Sequence, residues 1–505
     1  MNVYALFSNR ARAWPARIAL VHQGQSIRYD ELAQRVERTA RAIAQSGLRA
    51  GDRICLLSEN RLEYVELLLA AGALGVIVAC QNWRQSPAEL RHCITLVQPQ
   101  LLIVSPRFSA LLAEAAIEDA APVLLLGPTY TQWLQRGEAG PAPALGQADA
   151  ESGLFILYTS GTTGLPKGAL ISHRATVARS AIAALDRLQL PGDAFIAWTP
   201  MFHMLATDST LTALLGGGTV FVLDGLDMPA IAELVRTTRM GHLVVIPGMV
   251  EQAITAFSAP GFTVAGVRGV GVMADLVPPG QIADITRLLN APYLNSFGST
   301  ETGSAPASAN MVAPYSPIGN LAKTQSSLCL TRLVDDEGHE VGIDQPGEMQ
   351  VSGPSLFSGY WGVEGTTVRP GDWFAMGDMF TRDAEGRLHY VDRKKYLIKS
   401  GGENIYPAEI ERVLTAQPGI ADAVVIRQPD PKWGEVPVAY VVSTDAGLDA
   451  ATVIARCRGH IASYKLPKEV VFVQAQELPR NSTGKVQRNL LEERHARQRS
   501  AAPNC

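Results

Sequence analysis

The chain predicts an α/β fold: a large N-terminal domain of doubly wound sheets with a β-rich subdomain, then a small α+β C-terminal domain. Three observations carry that expectation. Strand-like and helix-like apolar patterns alternate through the first hundred residues, as they do in a mostly parallel sheet covered by helices. The apolar run 154–157 stops abruptly at a loop of glycines and hydroxyls. The period then changes twice, near residue 326 and again after Asp392.

Residues 30–44 repeat apolar side chains at helical spacing, and Gly51-Asp52 turns the chain into a strand over 53–57. Residues 61–74 are helical again and lead into a strand over 75–79. Ser86-Pro87-Ala88-Glu89 is a capping box with proline at the first helical position, so a helix begins there. A strand over 101–104 follows, and the Ala/Gly/Pro-rich segment 137–153 is a loop. Between 326 and 390 short strands are punctuated by Asp335-Asp336-Glu337-Gly338, Gly371-Asp372-Trp373 and Asp383-Ala384-Glu385-Gly386, which mark hairpins. Beyond Asp392 come a helix at 407–415, strands at 421–426 and 436–443, a helix near 451–462 and a strand at 470–473. From Glu492 onward Glu and Arg mix, and the tail is expected to be a solvated or frayed helix. The domain boundary is placed at Asp392, giving 1–392, with the β-rich subdomain at about 326–391, and 393–505.

At 505 residues the chain exceeds what one hydrophobic core organises. Hydrophobic residues make up 47% and charged residues 18%, a globular profile, and a net charge of −4 leaves no basic footprint for nucleic acid. The six cysteines (Cys55, Cys80, Cys93, Cys329, Cys457, Cys505) form no Cys-x-x-Cys pair, so neither a disulfide framework nor a zinc site is expected. The start lacks a signal-peptide pattern, and apolar stretches such as 67–80 are too short and glycine-broken to span a bilayer. A cytoplasmic multidomain enzyme or binding protein is expected, without nucleic-acid partner or membrane span. Its oligomeric state stays open, a homodimer being one option.

The segment Tyr158-Thr159-Ser160-Gly161-Thr162-Thr163-Gly164-Leu165-Pro166-Lys167-Gly168 has the chemistry of an anion cradle. Glycines let backbone N–H groups turn toward a ligand, hydroxyls add donors, and Lys167 adds charge. It is not a Walker A loop, because that spacing fits no register here and Pro166 stands directly before the lysine. Further along, Phe297-Gly298-Ser299-Thr300-Glu301 gathers an aromatic, hydroxyls and a carboxylate. Met376-Gly377-Asp378 carries an isolated carboxylate, and Asp392-Arg393-Lys394-Lys395 leads into Lys399-Ser400-Gly401-Gly402-Glu403. Pro479 to Gly484 end in a lone lysine, Lys485.

With Pro200-Met201-Phe202-His203, this ordered set resembles the adenylate-forming superfamily of acyl-CoA synthetases, luciferases and peptide-synthetase adenylation domains, over nearly the whole chain. The resemblance implies an ATP-dependent, AMP-forming carboxylic acid–CoA ligase using ATP, Mg²⁺ and coenzyme A. By that resemblance Thr159, Ser160, Gly161, Thr162, Thr163 and Gly164 wrap the β- and γ-phosphates, with Lys167 near their exit. Thr300 contacts the α-phosphate, Glu301 holds Mg²⁺, Phe297 stacks on adenine, Asp378 accepts the ribose hydroxyls and Arg393 assists. His203 joins the catalytic group, and Lys485 bridges the substrate carboxylate and α-phosphate. The C-terminal domain is then mobile, turning about Asp392 to exchange Lys485 for the Lys399 loop, where Gly401 and Gly402 let a pantetheine arm pass.

The sequence departs from that pattern at Val272-Met273, where relatives carry small residues between adenine and the acyl group, so a raised tunnel floor is expected. Gly269-x-Gly271-x-x-Ala274 half-matches a dinucleotide fingerprint, but Pro278-Pro279-Gly280 interrupts the helix that fingerprint needs. Asp208 is read as solvated or capping in preference to facing a polar substrate tail. The pocket segments 203–209 and 269–274 with Ser299 are mostly apolar or small, which implies a fatty, alicyclic or aromatic acid. Two other readings remain: an adenylation enzyme that loads a carrier protein, and an inactive nucleotide-binding scaffold.

Overall fold

Continuous apolar runs, buried on both faces, build the central sheet of the computed structural model. Its strands lie in the order Val123–Leu125, Leu101–Val104, Arg53–Leu57, Ile77–Cys80, Gly153–Thr159 and Lys167–Ser172. The first five run parallel; the last returns antiparallel. The structure describes residues 1–501 apart from 118, 139, 160–164, 188–189, 317–320, 402, 459 and 481–485. The chain divides into two units, Met1–Thr331 with Val351–Phe374, and Arg332–Gln350 with Ala375–Cys505.

In the first unit the helix Leu62–Leu74 is buried almost all round, and Gly75, at φ +74°, ends it in the left-handed conformation. That cap is why the following strand begins at Ile77 and not at residue 75. The Ser86 capping box forms, with Ser86 N donating to Glu89 Oε2 at 2.9 Å. The strand Lys167–Ser172 and the helix Pro128–Glu138 have no counterpart in the sequence reading. A second sheet orders Gln25–Arg28, Ile18–His22, Val220–Val222 and Phe195–Ala197; a third orders Met240–Leu243, Val267–Val270, Tyr293–Leu294 and Met311–Val312. A short antiparallel pair, Phe297–Ser299 with Gly303–Ala307, follows.

The second unit carries most of an antiparallel-edged sheet of Leu330–Val334, Gly347–Ser352, Phe374–Arg382 and Leu388–Arg393. Its other sheet centres on the long hairpin Ile420–Asp430 and Gly434–Ser443, covered by the helix Pro407–Thr415. Two sequence expectations shift here. The helix expected near 451–462 is Ala450–Cys457, because Arg458 is extended and bridges Ile461. The tail is a docked helix, Arg488–Ala501: Leu491 is fully buried against Val424, Ile426 and Tyr440, and Tyr440 Oη lies 2.9 Å from His495 Nδ1. Two inward side chains are enough to dock a helix whose composition is otherwise charged.

Candidate active site

Thr159 and Lys167 stand opposite each other as the last pair of an antiparallel hairpin. Between them Ser160, Gly161, Thr162, Thr163 and Gly164 lie outside the described residues. The edge of the hairpin is extended by residues 358–361: Leu170 N donates to Gly359 O at 3.0 Å and Trp361 N to Gly168 O at 2.7 Å. This pairing brings Tyr360 to the site. Its hydroxyl donates to Glu301 Oε1 at 2.6 Å, and Lys167 Nζ lies 5.2 Å from its ring centroid. Phe357 N donates to Glu301 O at 2.7 Å, which fixes the backbone of the same residue. Thr159, Lys167 and Glu301, far apart in sequence, are thereby gathered around one aromatic ring.

Thr300 is held from behind by Arg179, a 4% exposed arginine on the helix His173–Asp186. Its Nη2 donates to Thr300 O at 3.0 Å, its Nε to Ser355 O at 3.0 Å, and its Nη1 to Asp208 Oδ2 at 3.2 Å. Gly303, at φ +72°, leaves room for that side chain, since a Cβ there would meet it at 2.8 Å. Asp208 is therefore neither solvated nor capping: it is the counter-ion of Arg179 on the helix Met204–Leu215. Burial pushes its carboxyl up, and the Arg179 guanidinium opposes that shift. His203 stands at the N-terminal boundary of this helix, with its ring 4.6 Å from Phe202.

Phe297 is half-buried, with its backbone paired to Ala307. Two residues before it, the fully buried Asn295 shares a partner with the floor segment. Lys323, 0% exposed, donates to Asn295 Oδ1 at 2.6 Å and to Asp275 Oδ2 at 2.5 Å. Burial lowers the lysine pKa and Asp275 raises it back. In the floor itself Val272 is buried with its carbonyl accepting from Tyr293 Oη at 3.0 Å, and Met273 is half-buried at φ +50°. Pro279 starts the helix Pro279–Leu289, so the glycine-rich run before it does not open directly into a helix.

The second unit holds the other expected residues. Asp378, 1% exposed, pairs in register with Arg393 on the neighbouring strand, Arg393 Nε lying 2.8 Å from Asp378 Oδ1. Asp392 is 2% exposed; its Oδ1 accepts from Arg393 N and its Oδ2 from Ala408 N, both at 2.7 Å. Burial pushes its carboxyl up against those two hydrogen bonds. Lys399 is exposed on the hairpin Ile398–Ser400/Glu403–Ile405, its N–H donating to Glu435 Oε2 at 2.9 Å. Gly401, at φ +59°, donates to Trp433 O at 2.7 Å, and a Cβ there would meet the Trp433 ring at 2.7 Å. Gly402 and Lys485 lie outside the described residues.

Sequence reading missed Tyr360, Arg179 and Lys323. A tyrosine in Gly359-Tyr360-Trp361 and single basic residues flanked by small neighbours carry no local signal. Their roles come from partners brought close by the fold.

Residues 7–361 match the AMP-binding enzyme family, and residues 409–485 match the AMP-binding enzyme C-terminal domain. The chain belongs to this family. It is 35% identical to the indoleacetate–CoA ligase of Aromatoleum aromaticum over 488 residues, covering 94% of each chain. Its fold superposes on the o-succinylbenzoate CoA synthetase of Bacillus subtilis in complex with its acyl-adenylate intermediate, with a TM-score of 0.84, 26% identity, and coverage of 97% and 98% of the two chains. The same Bacillus subtilis synthetase with ATP and a magnesium ion gives a TM-score of 0.82 at 25% identity, over 96% and 98%. The protein is an AMP-forming acid–CoA ligase that works through an acyl-adenylate. Among its described residues no helix is long and apolar enough to cross a membrane.

Proposed function

We propose that the residues gathered here divide the two half-reactions of a cytoplasmic ligase for fatty, alicyclic or aromatic acids, with compact acids preferred. The observation that carries the reading is the convergence of Thr159, Lys167 and Glu301 on Tyr360. A substrate carboxylate must attack the α-phosphorus of ATP and expel pyrophosphate, an anion attacking an anion. Rate then comes from positioning and charge neutralisation, without a covalent enzyme nucleophile. Thr159 to Gly164 and Lys167 cradle the β- and γ-phosphates, Thr300 meets the α-phosphate, and Phe297 stacks on adenine. Asp378 takes the ribose hydroxyls with Arg393 beside it, and His203 borders the acid.

Glu301 is the residue that would hold Mg²⁺, through Oε2, with Oε1 fixed by Tyr360. Among the described residues no cluster of three His, Cys, Asp or Glu could cage a metal. A single carboxylate suits Mg²⁺, which binds through one or two carboxylates plus substrate phosphates. The ion supplies charge neutralisation at the phosphates. In the second half-reaction the thiolate of coenzyme A attacks the acyl carbonyl and AMP leaves, the thiol proton passing to solvent. The Lys399 loop, with Gly401 and Gly402, lines the pantetheine path after the C-terminal part, 393–505, has turned about Asp392. The five described cysteines are free and buried, which suits a reducing cytoplasm.

The division of labour is tested at Lys485, which supplies charge where it develops in the adenylation transition state. Lys485→Ala should lower adenylation by about 10²–10³-fold or more while sparing thioester formation from supplied acyl-adenylate. Equal damage to both steps, measured as pyrophosphate exchange and as acyl-CoA formation, refutes the assignment.

A further inference from the structure

Behind the Thr300 loop the first unit contains a cavity of about 20 Å³, walled by Arg179, Arg187, Met204, Asp208, Thr212 and Ser304. That is room for one water-sized group. Arg179 is engaged by Thr300, Ser355 and Asp208. The other two charged walls are not satisfied. Asp208 Oδ1 and Arg187 Nε are both buried without a hydrogen-bond partner among the described residues. Arg187 is 8% exposed and its Nη2 meets only the neutral Ser304 Oγ. Its chain neighbour Asp186 offers no relief, because its two oxygens accept from Ser308 Oγ and Ser327 N. Burial alone leaves such groups about 1–3 kcal/mol short for each missing hydrogen bond.

We infer that the acid substrate carries a hydroxyl at its far end, which enters this cavity, donates to Asp208 Oδ1 and accepts from Arg187 Nε. The enzyme is thereby a ligase of hydroxy-substituted carboxylic acids. The inference rests on the reading above, in which the acid lies between His203 and the Thr300 loop. One oxygen fits the space; a second carboxylate, with three heavy atoms, does not. A hydrocarbon end leaves both polar atoms unpaired, and an ammonium end meets two arginines. Because Asp208 also holds Arg179, and Arg179 holds the Thr300 carbonyl, the hydroxyl is bonded to the same network that sets the loop at the α-phosphate.

The experiment pairs acids that differ by one hydroxyl: 4-hydroxybenzoate with benzoate, 4-hydroxyphenylacetate with phenylacetate, 8-hydroxyoctanoate with octanoate, and suberate as a dicarboxylate control. AMP release with ATP and coenzyme A gives kcat/KM for each. At least one hydroxy acid should exceed its parent by about 10²-fold or more, since sites built to bond a hydroxyl reject analogues lacking it. In Asp208→Asn the amide oxygen keeps Arg179 while its NH₂ replaces the free acceptor, so that ratio should fall about tenfold, a change of about 1.4 kcal/mol, with KM for ATP unchanged. Parent acids matching or beating their hydroxy partners in every pair, or suberate preferred to all, overturns the hydroxyl assignment while the ligase reading stands. An unchanged ratio in a folded Asp208→Asn enzyme also overturns it. If the variant does not fold, the wild-type panel decides alone. If no acid releases AMP, the ligase reading fails and the inference with it.

Discussion

Thr300 and Asp378 are held in place by opposite means. Thr300 lies on a loop whose carbonyl is bonded to an arginine 121 residues earlier, and that arginine also reaches Ser355, 176 residues away, and Asp208. Asp378 lies mid-strand, and its arginine stands directly across the antiparallel ladder. In the first unit the binding partner is 4% exposed; in the second, the Arg393 side chain is 37% exposed. One region fixes a loop through a buried, multiply bonded cation, the other fixes a carboxylate through strand register. The first arrangement is rigid but intolerant of losing its centre. The second keeps its geometry through backbone pairing even when the side chain is removed.

The sharpest way to break the comparison is to remove each arginine. Arg179→Met should cost about 3–5 kcal/mol, because it strands the buried Asp208 carboxylate and two carbonyls together. Urea denaturation followed in the first unit should show that loss, and adenylation should fall with it. Arg393→Met should cost clearly less stability, since water replaces much of what an exposed guanidinium supplies. Its effect should appear instead in KM for ATP. Equal losses in the two variants would mean that burial is not what separates the two regions.

Acid sensitivity separates them next. His242 is 4% exposed, its Nε2 lies 2.8 Å from Gly271 O, and burial lowers its pKa to about 4. The folded state thus binds the proton less well than the unfolded chain at 6.5. His242 therefore contributes stability above pH 6.5 that is lost as pH falls toward 4, on the order of 3 kcal/mol at most. His242→Gln keeps an amide donor for Gly271 O and removes the titration. The stability of wild type relative to this variant should shrink between pH 6.5 and 4, read from denaturation midpoints. A pH-independent difference refutes the buried neutral histidine.

Much of the frame was legible because its causes are local. The Ser86 box, the strand at 101–104 and the Asp383 turn each carry their instructions within a few residues: Asp383 Oδ1 accepts from Glu385 N and Arg387 N. Asp378 and Arg393 could be picked out for the same reason, each flanked by its own short motif. Arg179 could not. It stands in Val177-Ala178-Arg179-Ser180 on an ordinary helix, and only the assembled fold brings Thr300 and Ser355 to it. Lys323 was hidden likewise, its value lying in Asn295 and Asp275. The docked tail went unseen because Leu491 and His495 are too few to make a stripe.

The smallest effect is expected at Asp392, where the two kinds of holding meet. Its carboxylate is buried, like Arg179, yet its partners are two backbone N–H groups, one from the adjoining residue and one from Ala408 in the first turn of the helix Pro407–Thr415. The helix N-terminus favours the negative charge, and burial disfavours it more strongly, so the pKa is raised. Asp392→Asn removes the burial penalty but offers one oxygen to two donors. A lost hydrogen bond of about 1 kcal/mol set against the relief of a buried charge should leave stability at pH 7 within about 1 kcal/mol of wild type. The pH dependence gives the sign. A carboxyl with a raised folded pKa contributes stability that is present below its unfolded value and lost as pH rises through the folded value. Wild type should therefore gain on the variant as pH is lowered from 7 toward 4, the reverse of the trend at His242. Midpoints that diverge instead as pH rises would show that the carboxylate at this position is held by its donors and not strained by its burial.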